Sequence, residues 1–369
     1  MRSALAPISR AMRMAGAHGR GLAAFAAGRG SPTDIRMAFA LRVPRSNEIA
    51  HGGIIKLQHL QHAFAESPFR FNVLYLVSSR LPDGAHVLAA WAKRKGAKVV
   101  LNQNGVAYPA WHGPGWEQTN RVNSILLAAA DYVFYQSAFC KLSADRFAAP
   151  ARAATEVLHN PVDTKRFVPA PSRPPRPVTL LLGGSQDQRY RFASAVEALA
   201  RVRGHGIDAR LIVTGRLRWP SDRTPRADAE DILRGAGVGE HVELLGQYTQ
   251  EAAPAIFNRA DILIHTKYND PCPTVVLEAL ACGLPVVYSR SGGVPELVGD
   301  DAGYGVDAPL DWEHDIPPAP EALAAGVMTI RANLERRSAA ARQRAVGRFD
   351  VAPWLARHES VLQGLLATS

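Results

Sequence analysis

Short apolar runs that alternate with helical segments constrain the fold of this chain most. Runs such as LLL at 180–182 and LIV at 211–213 are apolar at successive positions, which is typical of strands covered on both faces of a sheet. Strands that alternate with helices pair in parallel, and the pattern therefore predicts an α/β protein with doubly wound sheets. The second half of the chain has five such runs: Val178–Gly183, Ala209–Gly215, His241–Gly246, Asp261–Thr266 and Leu284–Ser289.

The first half repeats the alternation, and a proline-rich segment separates the halves. Its runs are Arg36–Val43, Asn72–Ser78, Lys98–Asn102, Tyr132–Tyr135 and Thr155–Leu158. The segment 168–177 has five prolines in ten residues and is the best candidate for a linker, because proline stiffens a connector and cannot donate to a sheet. We expect a domain at 36–167, a linker at 168–177, a second domain at 178–348 and a final helix at 349–369 that crosses back to the first domain.

The first 36 residues carry much of the excess positive charge. Positions 1–36 hold six arginines and one acid, within a chain of net charge +10. We expect a flexible basic extension at 1–35; an arm that contacts anionic lipid at a membrane surface is the second interpretation. Nucleic acid is not an expected partner, because no basic patch with interleaved aromatic residues follows.

Composition excludes several other classes. The chain is 47% hydrophobic with three cysteines, which argues against a disordered protein, a disulfide scaffold or a zinc finger. No apolar run approaches the roughly 18–20 residues of a membrane span. We expect a cytoplasmic protein, peripheral at the inner face of the membrane if the basic arm contacts lipid.

The densest functional signal lies in 268–298, YNDPCPTVVLEALACGLPVVYSRSGGVPELV. A strand ends at Thr266 and a helix begins near Thr274, and the unpaired N–H groups of such a helix start can cradle phosphate at the carboxyl end of a sheet. Glu278 lies one turn into this helix, on the face of the cradle, where it can accept hydrogen bonds from ribose hydroxyls. Gly292 and Gly293 predict a second tight turn that lets backbone approach a ligand closely.

At these residues the sequence resembles the retaining nucleotide-sugar glycosyltransferases of family 4. The pattern is an acid, seven intervening residues, then Glu-Ala, a Gly-x-Pro turn and GG-x-P-E. Here it comprises Asp270, Glu278-Ala279, Cys282-Gly283-x-Pro285 and Gly292-Gly293-Val294-Pro295-Glu296. Asp270 is one methylene shorter than the family's usual Glu, and Pro273 stands where Gly is common. Gly184 replaces the usual Arg and leaves Arg189 or Arg191 to supply the charge.

The resemblance implies a GT-B fold, in which two Rossmann-like domains face a central cleft. It also implies site residues. The catalytic positions are Asp270, against the donor sugar, and Asn104, where the family usually has His. The donor-binding positions are Gly52, Gly53, Arg189, Gly246, Tyr248, Pro273, Thr274, Val275 and Glu278.

The implied reaction moves a sugar from a nucleoside diphosphate sugar to an acceptor hydroxyl with retention of anomeric configuration. No Asp-x-Asp triplet occurs in the sequence, so neither a metal nor another cofactor is expected. The expected acceptor is a glycan or a lipid-linked sugar in bacterial cell-envelope or extracellular polysaccharide synthesis. Two alternatives stay open: a nucleotide-sugar epimerase or hydrolase on the same fold, and a non-catalytic relative that binds nucleotide sugar.

Overall fold

The computed structural model describes residues 2–28, 34–50, 52–171 and 177–368, with side chains from position 12 onward. The strands fall close to the runs expected from the sequence, with short additional strands at 65–66 and 303–307. They are β1 Arg36–Ala38, β2 Ala65–Glu66, β3 Val73–Val77, β4 Lys98–Gln103, β5 Tyr132–Tyr135, β6 Ala154–Val157, β7 Val178–Leu182, β8 Ala209–Thr214, β9 Val242–Gly246, β10 Ile262–His265, β11 Val286–Arg290 and β12 Gly303–Asp307.

Within the described residues these strands form two six-stranded sheets, and all pairings in both are parallel. The first has the order β2-β1-β3-β4-β5-β6 and the second β12-β11-β10-β7-β8-β9. The central strands β3 and β10 are buried along their whole length, as their continuous apolar runs require. The prediction of an α/β fold with two Rossmann-like halves is confirmed.

Helices connect successive parallel strands, since a parallel pair needs a crossover. They are α1 Arg2–Ala26, α2 Gly52–Ala63, α3 Ala85–Arg94, α4 Pro109–His112, α5 Trp116–Ala129, α6 Ala138–Phe147, α7 Arg189–Gly204, α8 Pro225–Ala236, α9 Ala253–Phe257, α10 Thr274–Ala281, α11 Val294–Val298, α12 Pro320–Arg331, α13 Leu334–Arg348 and α14 Val351–Ala367.

The chain divides into two compact units whose bounds differ from those expected. The first unit is Met1–Arg45, Gly53–His159 and Ala352–Ser369, and the second is Ser46–Gly52 and Asn160–Val351. The second unit therefore begins before the proline-rich segment. Asn160 Nδ2 donates to the Cys272 carbonyl at 2.9 Å, which fastens this part of the chain to the second unit. Residues 172–176 of the expected linker lie outside the described residues.

A buried polar chain joins the sheet of the first unit to its helices. Lys56 Nζ of α2 donates to Asn102 Oδ1 at 2.8 Å, and Asn102 Nδ2 donates to the Tyr75 hydroxyl at 3.2 Å. That hydroxyl lies 2.9 Å from His358 Nε2 on α14. Burial lowers the pKa of His358 to about 3, so the imidazole is neutral at physiological pH. The final helix thus packs within the first unit.

The expectation of a flexible extension at 1–35 is not met over most of that range. Arg2–Ala26 form α1, and Ala17 and Ala24 are buried in the core of the first unit. A Cβ on Gly21 would lie 2.3 Å from the Trp91 ring of α3, so the helices meet through small residues. Met1 and 29–33 lie outside the described residues. Across the described part of the chain, no helix combines the length and apolarity needed to cross a membrane.

Candidate functional site

Glycine-containing turns meet at the carboxyl edge of the second sheet. Gly184 follows β7, Gly215 follows β8 and Gly246 ends β9. Gly215 has φ +83°, and a Cβ there would lie 2.3 Å from the Gly184 carbonyl oxygen. Its N–H donates to the Gly246 carbonyl at 2.7 Å. The turns therefore pack closely through Gly215, whereas a Cβ on Gly184 or Gly246 would have no neighbour within 4 Å. Those two glycines leave space at the edge where ligands bind in doubly wound sheets.

Asp270 is a buried carboxylate on the loop that follows β10. Its Oδ2 lies 3.5 Å from Lys267 Nζ and 3.2 Å from His265 Nε2, an ion-pair distance without hydrogen-bond alignment. Burial alone would raise the pKa of Asp270, but Lys267, His265 and the buried Arg191 together hold it well below its usual value. Burial lowers the pKa of His265, which leaves Lys267 and Arg191 as the permanent cations. The site thus holds an ionised carboxylate.

The GG-x-P-E turn determines where the Asp270 backbone lies. Gly292 has φ +66°, and a Cβ there would lie 2.6 Å from the Asp270 carbonyl oxygen. Gly293 N–H donates to the same oxygen at 2.9 Å, and Asn269 N–H donates to Ser291 Oγ at 2.8 Å. The sequence predicted a turn that lets backbone approach a ligand. In the structure, the turn approaches the loop that carries the acid.

The first turn of α10 lies against two glycines. A Cβ on Gly183 would lie 2.3 Å from Val275 Cγ2, and a Cβ on Gly52 would lie 2.9 Å from Thr274 Oγ1. Pro273 occupies the N-cap position with φ −72°, a value that proline favours. The N–H groups of Thr274 and Val275 have no partner within the helix by its geometry. They can therefore donate to an anion at the carboxyl edge of β7.

Glu278 is buried one turn into α10 among apolar residues and is 4% exposed. Gln250 Nε2 donates to its Oε1 at 3.1 Å. Burial raises the pKa of Glu278 to about 8, against an opposing effect of Arg166, so the carboxyl group is largely protonated at neutral pH. Burial raises the pKa of Tyr248, and this side chain lies close enough to Glu278 to interact with it, so the two belong to one group. Gln250 was not predicted; its only sequence signal is its place shortly after Gly246.

The structure separates the two candidate arginines. Arg189 is half-exposed and forms a bidentate ion pair with Asp228, with Nε–Oδ2 at 2.9 Å and Nη2–Oδ1 at 3.1 Å. Arg191 is buried and donates from Nη1 to the Ser185 carbonyl at 2.6 Å. Its buried Nε has no hydrogen-bond partner in the described part of the chain. Arg191, and not Arg189, accompanies Asp270.

Two predicted positions, Gly53 and Asn104, belong to the first unit and lie near the carboxyl ends of β3 and β4. Asn104 N–H donates to Ser78 Oγ at 2.8 Å, and Asn104 Oδ1 accepts from Gly105 N–H at 2.9 Å. A Cβ on Gly53 would lie 2.6 Å from Ser79 Oγ. The structure therefore brings Gly53 and Asn104 to one short turn. The remaining predicted residues belong to the second unit.

Comparison with known proteins relates the second unit to a family. Residues 165–316 match the family model described as glycosyl transferases group 1. A GDP-mannose-dependent alpha-(1-6)-phosphatidylinositol monomannoside mannosyltransferase of Mycolicibacterium smegmatis is 30% identical over 58% of this chain and 58% of that protein. A glycogen synthase of Mycobacterium tuberculosis is 28% identical over 63% of this chain and 54% of that protein. The chain thus spans about half the length of the curated relatives it matches.

Solved structures resemble most of the chain. HepE of Anabaena in complex with UDP and glucose has a TM-score of 0.69 at 17% identity, covering 89% of this chain and all of that one. The sucrose-phosphate synthase of Thermosynechococcus elongatus has a TM-score of 0.62 at 18% identity, covering 86% of this chain and 78% of that one. These likenesses confirm the GT-B fold. The match to the glycosyl transferases group 1 model lies within the second unit.

Glu278→Gln is expected to stabilise the free protein as pH rises. Between pH 4.5 and about 8, the folded state keeps a proton on Glu278 that the unfolded chain has already lost. The stability that the raised pKa contributes is fully present below pH 4.5 and is lost as pH rises through about 8. In urea titrations from pH 5 to 8, the free energy of unfolding of the variant should rise relative to that of the wild type, by at most about 1.4 kcal/mol per pH unit. Exposed Glu240→Gln is the control, and equal slopes for both variants would contradict the shift.

Gly292→Ala should destabilise the protein by roughly 1–3 kcal/mol, because the methyl group adds a close contact to a strained φ. Gly347→Ala is the matched control, since its Cβ would lie in open space within α13 and should stabilise by about 0.5–1 kcal/mol. Denaturant unfolding of both variants measures the difference. If both gain stability, the close approach to Asp270 is not present in solution.

Proposed function

We propose that this chain is a retaining glycosyltransferase of family 4 that moves a sugar from a nucleoside diphosphate sugar to an acceptor hydroxyl. One observation carries the proposal: the buried carboxyl group of Glu278 and the ionised Asp270 flank the first turn of α10 at the carboxyl edge of the sheet. The names of similar proteins agree in class, since one is GDP-mannose-dependent and one structure holds UDP and glucose.

Glu278 is assigned to the ribose of the donor. A ribose presents two neighbouring hydroxyl donors, and an ionised carboxylate accepts from both. The free protein holds Glu278 largely protonated and bonded to Gln250. Hydrogen bonds to the charged form lower a carboxyl pKa, so ribose binding favours ionisation of Glu278.

The start of α10 and Arg191 are assigned to the diphosphate. Cleavage of the donor builds negative charge on the leaving oxygens, which the amides of Thr274 and Val275 can stabilise. Arg191 supplies a buried positive charge whose Nε–H has no partner among the described residues, whereas Arg189 is bound by Asp228.

Asp270 is assigned to the donor sugar. Positive charge develops on the sugar ring as its bond to diphosphate breaks, and a fixed ionised carboxylate stabilises that charge without reorganising. Lys267 and the GG turn hold the carboxylate in place before the reaction. Asn104 and Gly53 remain proposed site residues of the first unit. The leaving phosphate oxygen takes the acceptor proton.

The proposed acceptor is a glycan or lipid-linked sugar, and the proposed role is bacterial cell-envelope or extracellular polysaccharide synthesis in the cytoplasm. The support for this assignment is the named activity of the phosphatidylinositol monomannoside mannosyltransferase and the basic segment of the sequence.

A thermal-shift and calorimetric screen against UDP, GDP, ADP and their sugar conjugates tests donor binding. One nucleotide should stabilise the protein, by about 2.7 kcal/mol when present at 100 times its dissociation constant. Glu278→Gln should weaken that nucleotide at least tenfold, through the loss of a charged hydrogen-bond acceptor. Arg191→Lys should weaken it as well, and Arg189→Ala is the control that should leave affinity unchanged. A folded protein that binds no nucleotide would contradict the proposal and favour a non-catalytic relative.

Asp270→Asn should lower kcat for sugar transfer roughly 100-fold or more, because the stabilising charge is lost. Nucleoside diphosphate affinity should change little, since Asp270 is assigned to the sugar. Asp270→Glu should restore part of the rate, and Glu230→Gln is a control that removes an exposed carboxylate paired with Arg226. Radiolabel transfer from the donor named by the screen measures the rate. Undiminished transfer by Asp270→Asn would refute the assignment.

A further inference from the structure

The helix α1 presents small residues to the protein and large apolar residues to solvent. Ala17 and Ala24 are buried, and Gly21 lies directly against the Trp91 ring. On the outward side, Met12 is 70% exposed and Leu22 is 55% exposed.

The outward face of α1 is apolar along its described length. At about 100° per residue, the outward face is formed by positions 12, 15, 19, 22, 23 and 26. They are Met12, Ala15, Gly19, Leu22, Ala23 and Ala26, and all are exposed. A helix on the surface of a soluble protein normally directs charged and polar residues outward. This helix has the opposite arrangement, which indicates that another apolar medium covers it.

A neighbouring loop extends the apolar surface. Ala23 of α1 and Ala27, just after its end, line a groove of about 460 Å³ together with Pro68 and Phe69. Phe69 is 47% exposed, and Phe25 at the edge of α1 is 44% exposed. Lys95 Nζ donates to the Phe69 carbonyl at 2.7 Å, which holds the loop that carries Phe69 in place. We call Met12, Leu22, Phe25 and Phe69 with their surroundings the α1 surface.

Arginines surround the α1 surface. Arg13 and Arg20 are exposed on one flank of α1; Arg13 lies 3.6 Å from Asp83, and Arg20 contacts the Asp83 carbonyl. Arg70 lines the groove, and the Arg94 guanidinium lies 5.3 Å from the Trp91 ring centroid. An apolar face bordered by arginines is complementary to acyl chains below anionic headgroups.

We propose that the α1 surface docks in the plane of a bilayer that contains anionic phospholipid. A second copy of the chain fits less well, because a symmetric contact would bring the arginines around this surface in one copy towards those of the other. A polyanion such as nucleic acid would leave Met12, Leu22 and Phe25 exposed. The inference concerns the first unit alone and does not depend on the donor site of the second unit.

Co-sedimentation of the full chain with vesicles tests this surface. We expect binding to vesicles of phosphatidylcholine with phosphatidylglycerol, weak binding to phosphatidylcholine alone, and loss of binding at high salt. Joint Met12→Ser, Leu22→Ser and Phe69→Ser substitution should lower the partition coefficient more than tenfold. Arg20→Gln and Arg70→Gln should each lower it roughly fivefold. Leu142→Ser, at a 51% exposed position on α6, is the matched control and should bind as the wild type does.

Each variant should keep the wild-type melting midpoint and nucleotide affinity, which separates lipid binding from folding and from donor binding. The proposal is overturned if the chain binds neither vesicle type or binds both equally. It is also overturned if sedimentation shows a dimer that the triple serine variant dissociates, or if heparin competes for binding that the triple variant retains.

Discussion

A carboxyl group placed in an apolar helix must find a proton or hydrogen-bond donors, because an isolated buried charge is costly. Glu278 occupies this position in α10, where its neighbours along the helix are apolar and buried. In the free protein it is bonded to Gln250 and its pKa is raised to about 8. The Asp270 loop leads into this helix, and Gln250 contacts it through Glu278. A ligand that donates two hydroxyl hydrogen bonds would satisfy the group fully.

The two buried carboxyl groups of the candidate site, Asp270 and Glu278, are in opposite ionisation states. Asp270 has three basic neighbours and a pKa below its usual value, whereas Glu278 has one opposing arginine and a pKa above it. Environments that separate carboxyl pKa values assign separate roles. In the proposed reaction the ionised group stabilises the sugar charge, and the protonated group becomes ionised when ribose binds.

Much of this arrangement could be predicted from the sequence, because the local pattern dictates it. The apolar runs predict the strands, and a glutamate in VVLEALA has no comfortable structural role, which identifies Glu278. Arg189 and Arg191 could not be distinguished in this way. Two residues apart at the start of α7, they point roughly 200° apart, and only tertiary packing decides which one is buried.

The helix α1 was missed for a related physical reason. Its arginines interrupt every apolar run, and its outward face is apolar where a soluble helix is usually polar. Periodicity alone therefore does not show which face is buried. The unit boundary was also misplaced, because the proline-rich segment suggests a connector whereas Asn160 and the residues after it already pack in the second unit.

Proton release on donor binding tests the central claim most directly. Calorimetric titration with the nucleoside diphosphate sugar at pH 7, in buffers of different ionisation enthalpy, counts the protons exchanged. A sugar conjugate is suitable because its diphosphate has no titrating group near neutrality. With the pKa of Glu278 at about 8 in the free protein, the account predicts release of close to one proton, absent in Glu278→Gln. Tight binding without proton exchange, or release that the variant retains, would contradict the role of Glu278.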